Sequence, residues 1–262
     1  MSDFILEAHG LRREFGALVA VDDVSLNVER GTLHSIIGPN GAGKTTFFNL
    51  LSGNLRPTRG RVFYNGKEIT NLPLHRRAHL GIGRSFQITN VFSRLSVFEN
   101  VRLAAQALDG TSMVILSHVH RFSSYERTAL DAIEVVGLQG FENVPASVLP
   151  HGDKRKLELA IILASDPEIL LLDEPTAGMA SEQVPELMQT IDNVRKIGDK
   201  TIMLVEHNMS VVMSVSEKIT VMHQGALLAE GTPTEIAANT KVRSAYLGEL
   251  YGDFDEMSTT RE

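Results

Sequence analysis

No cysteine occurs among the 262 residues of the chain, which excludes a disulfide framework and any thiolate metal site and suits a reducing compartment. Nowhere is there a run of roughly 18 or more apolar residues, the length that suggests a spanning helix. The best candidate, VILSHV at Val114 to Val119, is short and carries a histidine, so a soluble protein is expected. The start, MSDFILEAHGLRREFG, has no basic segment followed by a long apolar stretch, and no secretory signal is expected. An excess of positive charge is missing too. The 25 basic and 32 acidic residues leave a formal charge of −7, which argues against a strongly basic nucleic-acid binder. Internal repeats and low-complexity tracts are also absent. What is present is a 43% hydrophobic, 22% charged composition, the balance of a globular protein with a sizeable core.

Local patterns place the elements. Thr32 to Ile37 reads as a short apolar strand ending at Gly38, and Thr45 to Ser52 as a helix stopped by Gly53. Val62 to Ile69 surrounds Asn65-Gly66, a hairpin turn signal. Ser96 with Glu99 makes a capping box ahead of a helix over Val97 to Leu108. Ser123 with Glu126 repeats that pattern ahead of a second helix, which Gly137 ends. After Leu149 come a helix, a strand at Glu168 to Leu172, another helix, and strands at Thr201 to Val205 and Lys218 to His223. Strands alternating with helices imply crossovers and a mostly parallel sheet. Thr232, Pro233 and Glu235 start a further short helix, and the polar end GDFDEMSTTRE is expected to fray.

Two stretches carry chemistry. IIGPNGAGKTT, Ile36 to Thr46, matches G-x-x-x-x-G-K-[ST] between an apolar strand and a helix. Its glycines let backbone N–H groups turn inward around phosphate oxygens. The expected cradle is Gly38, Pro39, Asn40, Gly41, Ala42, Gly43, Lys44, Thr45 and Thr46. Lys44 would reach the β- and γ-phosphates and face ligand rather than core. The Thr45 hydroxyl would bind Mg²⁺, and the helix dipole adds to the pull on the anion. The second stretch, Ile169 to Pro175 (ILLLDEP), is a buried strand ending in two acids. Ligands bind beyond the carboxyl ends of parallel strands. Asp173 there can hold Mg²⁺ and Glu174 can activate an attacking water. A third stretch, LPHGDKRKLELA from Leu149, is odd. Lys154, Arg155 and Lys156 crowd a first helical turn that is already positive.

With these motifs in this order, the chain resembles the ATP-binding subunits of ABC transporters over about Phe4 to Leu247, and most closely the LivG-type subunit of branched-chain amino acid importers. The resemblance implies an α/β P-loop NTPase (RecA-like) core with a mostly parallel sheet, an N-terminal antiparallel β subdomain and an inserted helical subdomain at about 88–158. It makes 1–248 a single ATP-binding domain, followed by a polar tail at 249–262. It implies that Phe15 stacks on adenine, that Gln87 touches Mg²⁺ or the attacking water, and that His207 contacts the γ-phosphate. LPHGD then takes the place of the family's LSGGQ, so Leu149, His151, Gly152 and Asp153 would meet ATP held by the opposite subunit. Pro150 supplies neither hydroxyl nor N–H, so the backbone around Gly152 and the helix dipole must carry that contact. The loop Ala177-Gly178-Met179-Ala180-Ser181 lacks the aspartate common in the family.

The function implied is ATP hydrolysis with Mg²⁺ that powers an importer, with branched-chain amino acids the expected cargo. The implied partners are a second ATPase, identical or LivF-type, two membrane-embedded permeases that dock near Phe92 to Leu108, and indirectly a substrate-binding protein. No nucleic acid is expected. The implied location is the cytoplasmic face of the inner membrane, reached through the permeases. Competing readings are a lipopolysaccharide-exporter ATPase, a soluble ABC ATPase acting on ribosomes or DNA, and a regulatory subunit that does not hydrolyse ATP. The soluble kind usually carries tandem cassettes or coiled-coil insertions, which are absent here. Intact Glu174 and His207 disfavour the regulatory kind.

Overall fold

A computed structural model describes residues 3–85, 91–107 and 119–246. The chain opens with two long strands, β1 (Phe4–Phe15) and β2 (Leu18–Glu29), then β3 (Leu33–Ile37) and helix α1 (Lys44–Ser52). β4 (Arg59–Tyr64) and β5 (Lys67–Glu68) follow, then α2 (Leu74–Ala78), β6 (Ile82–Arg84), α3 (Val97–Ala107) and α4 (Val119–Val135). The second half holds α5 (His151–Leu163), β7 (Ile169–Asp173), α6 (Val184–Gly198) and β8 (Thr201–Val205). It closes with α7 (Met209–Val215), β9 (Lys218–His223), β10 (Ala226–Gly231) and α8 (Pro233–Ala238). Internal contacts divide the chain into two compact units, Met1–Leu74 with Met203–Glu262, and His75–Ile202.

In the first unit, an antiparallel sheet has the order β2-β1-β4-β5, and a second sheet runs β10-β9-β3-β8. β2 buries Val21, Val24, Leu26 and Val28, which gives it one inward face. β3 is buried along its whole length and pairs in parallel with β9, as a central strand covered on both faces must. The Asn65-Gly66 turn holds both residues at positive φ, 49° and 72°, the geometry of a tight hairpin between β4 and β5. Thr232 and Glu235 form a complete capping box at α8. In the second unit, β7 and β6 pair in parallel, α5 packs against β6, and α3, α4, α5 and α6 pack against one another. Ser96 accepts the Glu99 N–H at the start of α3.

Two expectations change. The second helix does not start at Ser123: α4 begins at Val119, four residues earlier. No glycine or proline lies between Val119 and Ser124 to stop it, and S-x-x-E fits inside a helix as well as at its start. β10 was not anticipated, because its Ala, Leu and Glu residues favour helix. Antiparallel pairing with β9 makes it a strand.

His34 on β3 is fully buried, with Nε2 2.8 Å from the Thr220 hydroxyl, which donates onward to Glu230. Burial is the main cause that lowers its pKa to about 4; Glu230 opposes the shift and Lys218 adds to it. The unfolded imidazole takes a proton near pH 6.5 and the folded one does not, so stability should fall as pH drops from about 6.5 towards 4. The full shift corresponds to about 3 kcal/mol, from roughly 1.4 kcal/mol per unit. His34→Gln should flatten that slope in urea melts between pH 4 and 7. An unchanged slope would assign the acid sensitivity elsewhere.

Candidate functional site

The phosphate loop leaves β3 at Gly38 and enters α1 at Lys44. Three of its residues have backbone angles that suit glycine: Gly38 at φ 156°, Gly41 at 77° and Gly43 at 93°. Two of them also have no room for a side chain. A Cβ on Gly38 would lie 2.2 Å from the Met222 carbonyl, and one on Gly43 would lie 2.4 Å from that of Ala20. The loop is pinned from outside. Gly225 N–H donates to the Ala42 carbonyl at 3.1 Å, and Asp22 N–H donates to the Gly225 carbonyl at 2.8 Å. Its tip, Pro39 to Ala42, borders a cavity of about 710 Å³ whose other lining includes His223 and Lys241. That is the size of a small-ligand site.

Lys44 departs from expectation in one respect. It was expected to face ligand rather than core, yet it is only 7% exposed. Its ammonium donates to the carbonyls of Gly38 (2.6 Å) and Pro39 (3.0 Å), so it also braces its own loop. A cation encircled by backbone dipoles satisfies those carbonyls while it stays close to any phosphate the loop takes. Thr45 and Thr46 are half-buried in the first turn of α1, and Asn40 is exposed. Lys44→Ala should weaken Mg·ATP binding roughly 10- to 150-fold, as expected for losing one hydrogen bond to a charged group worth about 1.5–3 kcal/mol. Equilibrium binding to a variant whose circular dichroism matches the parent checks this. Parental affinity in a folded variant would refute the loop assignment.

Two more residues of the first unit were expected at a nucleotide. Phe15 ends β1, is 43% exposed, and has the Arg13 guanidinium 4.6 Å from its ring centre. His207 follows β8 and is exposed. Glu206 N–H donates to the Ile36 carbonyl, which ties this turn to the end of β3, just before the phosphate loop. Glu206 itself was not anticipated. It is fully buried, accepts the His207 N–H at 3.3 Å, and lies 3.9 Å from His207 Nδ1. The signal was present: an acid closes an apolar strand there, as Asp173 does on β7.

In the second unit β7 carries four buried apolar residues into Asp173, which is 2% exposed. Its N–H donates to the Ser85 hydroxyl at 3.0 Å, and Arg84 reaches its carboxylate at 3.8 Å. Burial lowers the pKa of Arg84 and the nearby Asp173 charge opposes that shift. Arg84 was also missed, although it stands in IGRSFQ. Glu174 follows at φ 48°, a left-handed angle rare for a non-glycine residue and costing of order 1–3 kcal/mol. Such strain is kept where a side chain must point in one direction. Gln87 lies outside the described residues.

Two of the three basic residues at this helix start, Arg155 and Lys156, are held by acids. Arg155 is bonded to Glu158, and Lys156 to Glu186 at 2.5 Å, with Asp153 at 3.8 Å. Leu149 is buried, and Gly152 is covered by Gln183 and Met179. Pro150 and His151 of LPHGD are exposed, the His151 ring lying near Gly178 in the loop after β7. Asp153 is half-buried in the first turn of α5.

A model of the family described as ABC transporter matches residues 21–177. The chain belongs to the ABC transporter family. A second match, Branched-chain amino acid ATP-binding cassette transporter, covers residues 226–251. The chain is 42% identical to the high-affinity branched-chain amino acid transport ATP-binding protein BraF of Pseudomonas aeruginosa, over 95% of this chain and 100% of that one. It is 39% identical to the corresponding protein LivG of Escherichia coli over the same shares. In structure it is similar to an ATP-binding cassette of an ABC transporter in its ADP conformation, with TM-score 0.82 and 28% identity over 94% of this chain and 99% of that one. This chain is therefore a nucleotide-binding ATPase of the kind that powers transport. Its fold is the α/β P-loop fold of these cassettes.

Proposed function

We propose that this ATPase drives import of branched-chain amino acids. The observation that carries the reading is identity near 40% along the whole length of two such transport subunits, joined by the separate match at 226–251. Gly38 to Thr46 would cradle the phosphates and Phe15 the adenine. Glu174 would take the proton of the attacking water as the γ-phosphorus–oxygen bond to ADP breaks, with Gln87 and His207 touching the water and the γ-phosphate. Thr45, Asp173 and Gln87 would hold Mg²⁺. Hydroxyl, carboxylate and amide oxygens are hard donors suited to it. A site of few protein ligands fits an ion that keeps its waters and phosphates. Mg²⁺, when bound, neutralises charge that develops on the phosphates.

Two such subunits, identical or LivF-type, would close head to tail, with LPHGD of each meeting the other's ATP through His151, Asp153 and the N-terminus of α5. No helix among the described residues is long and apolar enough to cross a membrane. The pore would belong to two permeases, which hold this chain at the cytoplasmic face of the inner membrane and are served by a substrate-binding protein. The test is to purify the tagged chain with its complex from membranes, identify the other chains, and measure uptake of labelled leucine, isoleucine and valine in a deletion strain. Loss of all three supports the reading. Normal uptake of all three, or co-purification with lipopolysaccharide-export components, refutes it.

A further inference from the structure

Two features of the sequence have no part in that reading: the basic run at the start of α5, and the loop Ala177 to Ser181 without its aspartate. The structure joins them. Arg155 does not face solvent. It donates to Glu158 Oε2 at 2.8 Å and to the Ala177 carbonyl at 3.4 Å. The two side chains of the ion pair are only 10% and 12% exposed. Each keeps one buried atom without a hydrogen-bond partner, Arg155 Nε and Glu158 Oε1. Native interiors rarely leave such groups unmet.

Both residues line a cavity of about 20 Å³. One water needs roughly 10–15 Å³ and two to four polar partners. Ser85 lines the same cavity. Its hydroxyl accepts the Asp173 N–H, so its own proton remains for donation. Leu159, Leu172 and Leu187 contribute apolar wall.

We infer that one buried water accepts from Arg155 Nε and Ser85 Oγ, donates to Glu158 Oε1, and completes a strut from the start of α5 and the Ala177 loop to the end of β7. Arg155 is then a positioning residue. A displacement of the LPHGD turn, imposed by the partner's ATP, reaches the backbone of Asp173 and the neighbouring Glu174. Only a planar guanidinium offers three N–H groups in fixed directions to a carboxylate, a carbonyl and a water; a lysine ammonium does not. The inference rests on the proposal that LPHGD meets the partner's ATP.

The experiment uses the assembled transporter and reads ATP hydrolysis against ATP concentration, with melting temperature alongside. The wild type should give a Hill coefficient well above 1. Arg155→Met with Glu158→Leu removes both charges together, which usually leaves stability near neutral. That double variant should melt like the parent yet give a coefficient near 1. Arg155→Lys should also lower it, and serves if the double variant fails to fold. A parental coefficient in either folded variant, or a wild-type coefficient of 1, overturns the inference. Gly152→Asp in the same assay separates the two ideas: if it hydrolyses normally, the LPHGD reading is what failed. A high-resolution crystal structure should show one water between Arg155, Glu158 and Ser85, and a dry cavity counts against the strut.

Discussion

Glu174→Gln should leave ATP binding intact and slow hydrolysis at least about 10²-fold, since a positioned general base contributes roughly 10²–10⁴. Glutamine keeps the size of the side chain and can still accept a hydrogen bond from water, but it cannot take the proton. The backbone should not move. The turn is held by the Ala177 N–H donating to the Glu174 carbonyl at 3.0 Å and by the strand before it. Glutamine tolerates φ 48° no worse than glutamate does, because the strain there is between Cβ and backbone. With ATP bound and not consumed, the closed pair of subunits should accumulate and appear by light scattering as a species of doubled mass. Turnover within a few-fold of the parent would remove Glu174 from the role proposed for it.

Gly152→Asp should impair the assembled pair and spare the single chain. Gly152 does not have a left-handed backbone, and a Cβ built on it meets Gln183 and Met179 at 3.4 and 3.5 Å, ordinary contact distances. The first added atom is therefore tolerated. The carboxylate beyond it puts negative charge at the start of α5, which is proposed to approach the γ-phosphate of the other subunit. Repulsion between unit charges near 4 Å is of order 1–4 kcal/mol at exposed to partly buried sites. At about 1.4 kcal/mol per tenfold, closure falls roughly 5- to 1000-fold. Nucleotide affinity of dilute monomer should barely change, because Gly152 is not among the residues proposed to hold the chain's own nucleotide. Collapse of monomer binding would mean a damaged fold. Unchanged hydrolysis in the complex would mean that LPHGD does not meet ATP.

Residues whose meaning is local could be read in sequence. Gly38, Gly41 and Gly43 announce a backbone that only glycine adopts easily, and Asn65-Gly66 and Thr232-Pro233-Glu235 announce a turn and a cap. All of these depend on neighbours within about eight positions. Phe15, Gln87, His207 and LPHGD carried little by themselves. Their proposed roles come only from their order along the chain, on which the resemblance to ABC ATPases rests.

What the sequence by itself determined was therefore the phosphate loop, the acid-tipped strand, the alternation of strand and helix, and the family. Tertiary structure decided the rest, because those features depend on partners far away in the chain. β10 is a strand through β9 and against its own propensity. Lys44 is buried by the fold of its loop, and Glu206 is tied to the end of β3 only once β8 lies beside it. Arg155 changes most. Beside Lys154 and Lys156 it reads as surface charge at an unfavourable helix end. Its partners are Glu158, one helical turn ahead, and the carbonyl of Ala177, 22 positions on. No local pattern encodes that second contact, since it exists only after α5 has packed against the end of β7.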